Sequence, residues 1–302
     1  MTKERSNEAS RRLMPRAVVR VLGRILPAGP VRVALDRIAE IPPDIHDVDD
    51  FGMDRLFVHD LAPILEFFYK HYFRVDCTGL DNLPKTGPVI LVSNHGGWLP
   101  MDAIMLSYAV VRHLGQEMQP RPLLEDRFFY FPYLGTILNR YGAVRACQEN
   151  AQRLLADGKI IVSFPEGEKG STKHFRERGR IQRFGRGGVI RLAMATGAPV
   201  IPVTILGPEE TYPTLGRVSL IKKTFGVAQM PISPIFPWLG PLGLAPLPSK
   251  WEIRFGSPQE IPRVTDMRRV DRVQIRQLNE RLRQHIQAEL TDLYEERKGV
   301  FW

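Results

Sequence analysis

Only two cysteines, Cys77 and Cys147, occur in the 302 residues. They form no CxxC and neither stands at metal-ligand spacing from a histidine, so a disulfide framework and a zinc site are both excluded as readings. A reducing setting fits, and no metal is expected. The chain has no run of about 18 apolar residues free of charge and proline, so a conventional transmembrane helix is not predicted. The first 30 residues carry arginines through their only apolar stretch, and export through a secretory signal is not expected. No internal repeat is visible. The absence of GxSxG removes the usual covalent serine.

What is present is an ordinary globular composition, 43% hydrophobic and 25% charged, enough to bury a sizeable core. Basic residues exceed acidic ones by 42 − 33 = 9. The excess is local. Residues 1–24 hold seven basic and two acidic side chains, and residues 168–191 hold eight and two. Two such patches face either solvent or a polyanion: nucleic acid, an anionic membrane surface or a phosphorylated substrate. Nucleic acid fits poorly, because no recognised binding motif and no aromatic platform interleaves with either patch.

The N-terminal arginines alternate with Leu13, Val18, Val19, Leu22 and Ile25, which predicts a basic amphipathic helix of the membrane-surface kind starting near Pro15. The aromatic-rich stretch 61–73 puts Leu61, Leu65, Phe68 and Tyr72 at helical spacing, as a core helix or a surface-lying one. Residues 224–249 contain no charge but six prolines, so they cannot satisfy their own backbone across a bilayer. They cover a protein groove, or lie at a lipid interface with Phe236, Trp238, Leu239, Leu242 and Leu244 dipped into the acyl boundary. The interfacial placement is the preferred expectation.

In the middle of the chain, short β-branched runs at 89–93, 160–164 and 200–206 alternate with helical patterns at 101–114, 147–156 and 188–196. That alternation predicts an α/β fold with a mixed, mostly parallel sheet flanked by helices. A last strand is expected at 251–255. A long C-terminal helix follows at 265–298, with Val270, Val273, Leu278, Leu282, Ile286, Leu290 and Leu293 as its apolar stripe. The domain reading is N-terminal basic amphipathic helices over 1–75, a catalytic domain over 76–262 that includes the 224–249 loop, and a C-terminal helix over 263–302.

Two strand ends carry chemistry. VILVSNHGGWLPMD places His95 directly after a strand, then Gly96-Gly97, then Asp102 at the start of a helix. Histidine titrates where it can take a proton from an alcohol, and a carboxylate on its other nitrogen fixes the tautomer. KIIVSFPEGEKGS places Glu166 and Gly167 at a second strand end, followed by Lys169, Lys173, Arg176, Arg178 and Arg180. A glutamate beside a basic loop suits a polyol or phosphate-bearing acceptor; the plain alternative is a turn with a solvated charge run.

NHGGWLPMD, FPEGEKGS and APVIPV, in that order over roughly residues 79–256, resemble the glycerolipid and lysophospholipid acyltransferase family, in particular its mono- and diacylglycerol acyltransferase-like branch. The resemblance implies the glycerolipid acyltransferase fold at the cytoplasmic face of a membrane, peripheral or monotopic. It implies O-acyl transfer from acyl-CoA or an acyl carrier protein as co-substrate, with no cofactor. By the same resemblance His95 is the general base and Asp102 its partner. Glu166, Gly167, Lys169, Lys173 and Arg176 bind the acceptor, Arg145 is the basic residue of an intervening block, and Pro202 is structural. Gly96 and Gly97 are candidate oxyanion donors. Six residues separate His95 from Asp102 where the family commonly has four, so the glycine loop must close the dyad. Glu168 and Lys169 stand where threonine and arginine are common. The competing readings are a lipid esterase or thioesterase, in which water replaces the acceptor, and a non-catalytic peripheral membrane-binding protein.

Overall fold

The computed structural model describes residues 29–40, 48–131, 133–218, 230–233, 238, 243, 245–266 and 270–300. The expected N-terminal amphipathic helix lies outside them, as do Phe236, Leu239, Leu242 and Leu244. The described residues form two compact units. One holds those up to Tyr72 with Leu124–Arg145, and the other holds Phe73–Leu123 with those from Ala146 onward.

In the first unit, α1 (Pro30–Glu40) buries Val31, Ala34, Leu35 and Ile38, and α2 (Arg55–Phe67) buries Phe57, Val58 and Leu65. Asp54 caps α2 by accepting the Phe57 N–H at 3.0 Å. After Pro63 the helix widens into a π turn, Phe68–Tyr72. A wider turn moves the inward position on by one residue, so Tyr69 is buried where the 3.6-residue pattern names Phe68. The 61–73 stretch is therefore half core and half surface. Helix α3 (Met101–Leu114) belongs to the second unit, while the short helices α4 (Asp126–Tyr130) and α5 (Leu134–Tyr141) and strand β4 (Val144–Arg145) complete the first.

The second unit contains β1 (Asp76–Thr78), β2 (Val89–Ser93), β3 (Arg121–Leu124), β5 (Ile160–Ser163), β6 (Val200–Leu206) and β9 (Glu252–Phe255). They lie in the order β1-β9-β6-β2-β5-β3. All neighbours run parallel except β6 and β9. This is the mixed, mostly parallel sheet expected. Every residue of β2 and β6 is buried, because helices cover both faces of a parallel sheet. The flanking helices are α3, α6 (Gln148–Ala156) and α8 (Gly188–Thr196), with α7 (Glu168–Ser171) and α9 (Pro208–Thr211) as short turns at strand ends. A separate antiparallel pair joins β7 (Gly216–Val218) to β8 (Met230–Ile232). Trp238, the one described member of the expected interfacial set, is 79% exposed.

The C-terminal helix α10 (Arg272–Glu296) begins later than the apolar pattern suggests. Asp271 caps it by accepting the Val273 N–H, and the preceding chain is bonded elsewhere, Val264 N–H donating to the Met194 carbonyl at 2.8 Å. Val273 is consequently 54% exposed, and the buried stripe starts at Ile275 and runs through Asn279, Leu282, Ile286, Leu290 and Leu293. The helix stops at Glu296 because Arg297 turns extended to reach the Glu210 carboxylate and the Lys250 carbonyl. α10 packs on β6, which carries the third strand end of the site.

Candidate active site

β2 sits where the sheet order changes direction, with β5 on one side and β6 on the other. Beyond the carboxyl ends of strands at such a point lies a crevice that ligands use. Val92 is in register with Ser163, so the third residues onward, His95 and Glu166, arrive level with one another. The His95 N–H donates to Glu166 Oε1 at 2.8 Å. Asn94 fastens the same loop to β6, its amide donating to the Ile205 carbonyl and accepting the Ile205 N–H, both at 2.8 Å.

Asp102 stands in the first turn of α3 and is fully buried; His95 is 4% exposed. His95 Nδ1 lies 2.5 Å from Asp102 Oδ2. A carboxylate only accepts, so Nδ1 carries the proton and Nε2 keeps its lone pair. The longer spacing between the two residues is absorbed at Gly97, whose φ of +85° is left-handed and where a Cβ would meet Tyr212 at 2.9 Å. The Asp102 carboxylate also accepts the N–H of Gly96 at 3.1 Å and of Ala103 at 2.8 Å. The Gly96 N–H is thus engaged in holding the dyad, which corrects its assignment as an oxyanion donor; of the glycine pair, Gly97 is the candidate that remains. The ring of Phe164 packs on the His95 imidazole at 4.7 Å.

Behind the dyad is a buried ionic cluster. Glu166 Oε2 accepts the Gln182 N–H at 2.6 Å and lies 3.4 Å from Lys173 Nζ. Lys173 Nζ is 2.6 Å from Glu209 Oε1 and donates to the Arg180 carbonyl at 3.1 Å. Glu209 Oε2 in turn accepts the Gly179 N–H at 2.7 Å and the Tyr294 hydroxyl at 3.4 Å. Burial raises the Glu166 carboxyl above its ordinary range, against the lowering pull of Lys173 and of the two N–H donors. Burial also opposes the charge on Lys173, yet Glu209 and Glu166 together hold its ammonium above the ordinary lysine value. The Tyr294 phenol is pushed up by burial and by Glu209.

The structure therefore brings His95, Asp102, Glu166 and Lys173 together in one cluster. Glu166 reaches it as a clamp on backbone N–H groups, and Lys173 as a buried bridge between carboxylates, with its side chain 3% exposed. Gly167 makes the turn between β5 and α7, with φ of +58°. Lys169 and Arg176 are exposed on the segment after Glu166. Arg145 belongs to the other unit, where it is exposed and paired with Asp126 at 2.6 Å. Pro202 lies in β6 opposite Val92. Sequence reasoning passed over Glu209, although GPEETY follows the end of β6 and the strand-end logic applied to β2 and β5 reaches it too.

Gly170 is where the site is packed most tightly. A Cβ there would lie 2.6 Å from Glu166 Cβ and 3.0 Å from His95 Cβ. Gly170→Ala is expected to push Glu166 and His95 apart, costing about 1–3 kcal/mol of stability and a larger share of turnover. Urea unfolding beside initial rates measures both. A variant as active and as stable as wild type would mean that the loop gives way freely.

The family model described as Acyltransferase matches residues 74–206. The uncharacterized protein ML2427 of Mycobacterium leprae is 42% identical over 258 residues, which span 85% of this chain and 70% of that one. The chloroplastic 1-acyl-sn-glycerol-3-phosphate acyltransferase BAT2 of Brassica napus is 27% identical over 154 residues, 47% of this chain and 40% of that one. The crystal structure of the 1-acyl-sn-glycerophosphate acyltransferase PlsC from Thermotoga maritima superposes with a TM-score of 0.51 at 18% identity, covering 81% of this chain and 83% of that one. At that identity the likeness concerns the fold.

Proposed function

Because the chain belongs to the acyltransferase family, we propose that it transfers a fatty acyl group from an acyl thioester to a hydroxyl of a glycerolipid or lysophospholipid acceptor. The observation that carries this is the closed His95–Asp102 dyad, with Nδ1 on the carboxylate and the His95 backbone clamped by Glu166. The acyltransferase name borne by the Brassica napus relative supports the choice of a glycerolipid acceptor.

His95 Nε2 takes the proton from the acceptor hydroxyl as its oxygen attacks the thioester carbonyl. The negative charge on the tetrahedral oxygen needs an N–H donor, a role for Gly97, worth roughly 3–4 kcal/mol for one well-placed group. Collapse breaks the C–S bond, and the imidazolium returns its proton to the leaving thiolate. The products are an ester and a free thiol. Asp102 stabilises the imidazolium through the Nδ1–H bond.

The enzyme works at the cytoplasmic face of a membrane, as a peripheral or monotopic protein on an anionic surface. The basic N-terminal segment and the exposed Trp238 support that placement. Among the described residues no helix is long and apolar enough to cross a membrane. Lys169 and Arg176, exposed beside the site, are the candidates for a phosphate on the acceptor. The deciding experiment supplies labelled acyl-CoA with lysophosphatidate, monoacylglycerol or diacylglycerol in liposomes. Acceptor-dependent ester formation is the expected result. Release of free fatty acid at the same rate without acceptor would instead make the protein a hydrolase.

A further inference from the structure

The second unit holds a cavity of about 650 Å³, apart from the dyad, lined by Arg183, Arg186, Arg191, Arg272 and Arg276, with Glu280 as its acidic member. All five arginines are exposed, and among the described residues none of them forms an ion pair. Glu280 is already taken, its carboxylate held by the Arg283 guanidinium at 2.5–3.1 Å. Arg183 adds only a weaker pull on it.

The placement of these charges runs against local stability. Arg272 and Arg276 occupy the start of α10, whose first turn contains no acidic residue, so two cations stand at the positive end of a 25-residue helix beside the single carboxylate of its cap, Asp271. Three more cations face the same space from the 183–191 segment. Like charges gathered without a partner raise the folded-state energy, and departures of this kind from local rules concentrate at functional sites. An adjoining cavity of about 340 Å³ shares Gly185, Arg186 and Asn279 with the first. Its lining is largely uncharged, including Val189 and Leu192, and also takes in Gly187 and Gly188, where α8 begins with no side-chain cap. The two cavities together suit an elongated ligand that carries several phosphates at one end and is uncharged at the other.

The geometry points to a polyphosphate site for the nucleotide end of the acyl donor: the arginines grip the 3′-phospho-ADP of CoA and the uncharged cavity takes part of the remaining arm. Planar guanidinium groups bind phosphate oxygens in pairs, and five of them match three phosphates better than one phosphomonoester. This assignment rests on the acyl-transfer reading for the identity of the donor and selects CoA over a carrier protein.

Binding of CoA itself, without an acyl group, tests it by calorimetry. Removing two arginines in Arg183→Ala/Arg276→Ala is expected to weaken CoA at least tenfold. Lys85→Ala, which removes a single positive charge from the exposed loop before β2, leaves the affinity unchanged. CoA lacking its 3′-phosphate binds more weakly than CoA to wild type. Equal CoA affinity in wild type and the double variant overturns the proposal. So does loss of lysophosphatidate binding with CoA untouched, which would give the arginines to an acceptor headgroup. Wild-type transfer assays separate this from the reaction: arginine-dependent CoA binding by a wild type that transfers no acyl group under any condition would leave the anion site standing and remove the transfer mechanism.

Discussion

His95→Ala is expected to lower acyl transfer by about 10²–10⁴-fold while thermal unfolding stays within a few degrees of wild type. General-base assistance is worth about that range when the base is well placed. The loss should fall on turnover, because the imidazole acts on a proton that moves only during reaction. Stability is spared because the clamp on this loop works through the backbone: the N–H of residue 95 still donates to Glu166, and Asn94 still pairs with Ile205. The Asp102 carboxylate keeps two backbone donors, Gly96 and Ala103, after the imidazole is gone. Initial rates with saturating donor and acceptor, beside a melting curve, are the measurement. A variant with undiminished transfer would show that His95 is not the base, and the dyad would then be a structural pair.

How much of this was legible in the residues depends on the range of the interaction. The strands 89–93 and 200–206 and the helices 101–114 and 188–196 are found at those bounds, because each is a run of local propensity flanked by a proline or glycine at one end or both. The strands at 76–78 and 121–124 carry no such signature. They are short, and β1 is an edge strand whose burial alternates, so only pairing with Glu252–Phe255 defines it. The His95–Asp102 pairing was readable from one strand-end motif, but the part of Lys173 was not. In the sequence it belongs to a basic run, and the run predicts a solvated or substrate-facing side chain. Its burial follows from Glu209, 36 residues away in sequence by 209 − 173, which only the folded sheet brings alongside. The glycine pair was read as an oxyanion site for a similar reason: nothing in the sequence indicates that the Gly96 N–H would be consumed by Asp102.

Lys173→Met is expected to destabilise the fold by about 3–5 kcal/mol near neutral pH, the usual cost of removing one partner from a buried charge group. The methionine fills much of the same volume, so the deficit measures charge and not a cavity. Without the ammonium, Glu166 and Glu209 face each other in a space where both are buried, with only backbone N–H groups and the Tyr294 hydroxyl to hold them. The pH dependence follows from the direction of the shifts. The Glu166 carboxyl is raised by burial in the wild type even though Lys173 lowers it; losing Lys173 raises it further. A carboxyl whose folded-state value lies above its unfolded value gives up stability as pH climbs through the unfolded value toward the folded one. The variant should therefore be nearest to wild type at about pH 4.5 and below, where the raised Glu166 carboxyl is largely protonated, and fall progressively behind toward pH 8. The wild type keeps the contribution of Lys173 across that range, since its raised value places the loss above the ordinary lysine pKa. Urea unfolding of both proteins at several pH values reads this directly. A deficit that stayed constant with pH would mean that the cluster is held by packing, and that Lys173 carries no compensating charge for Glu166 and Glu209.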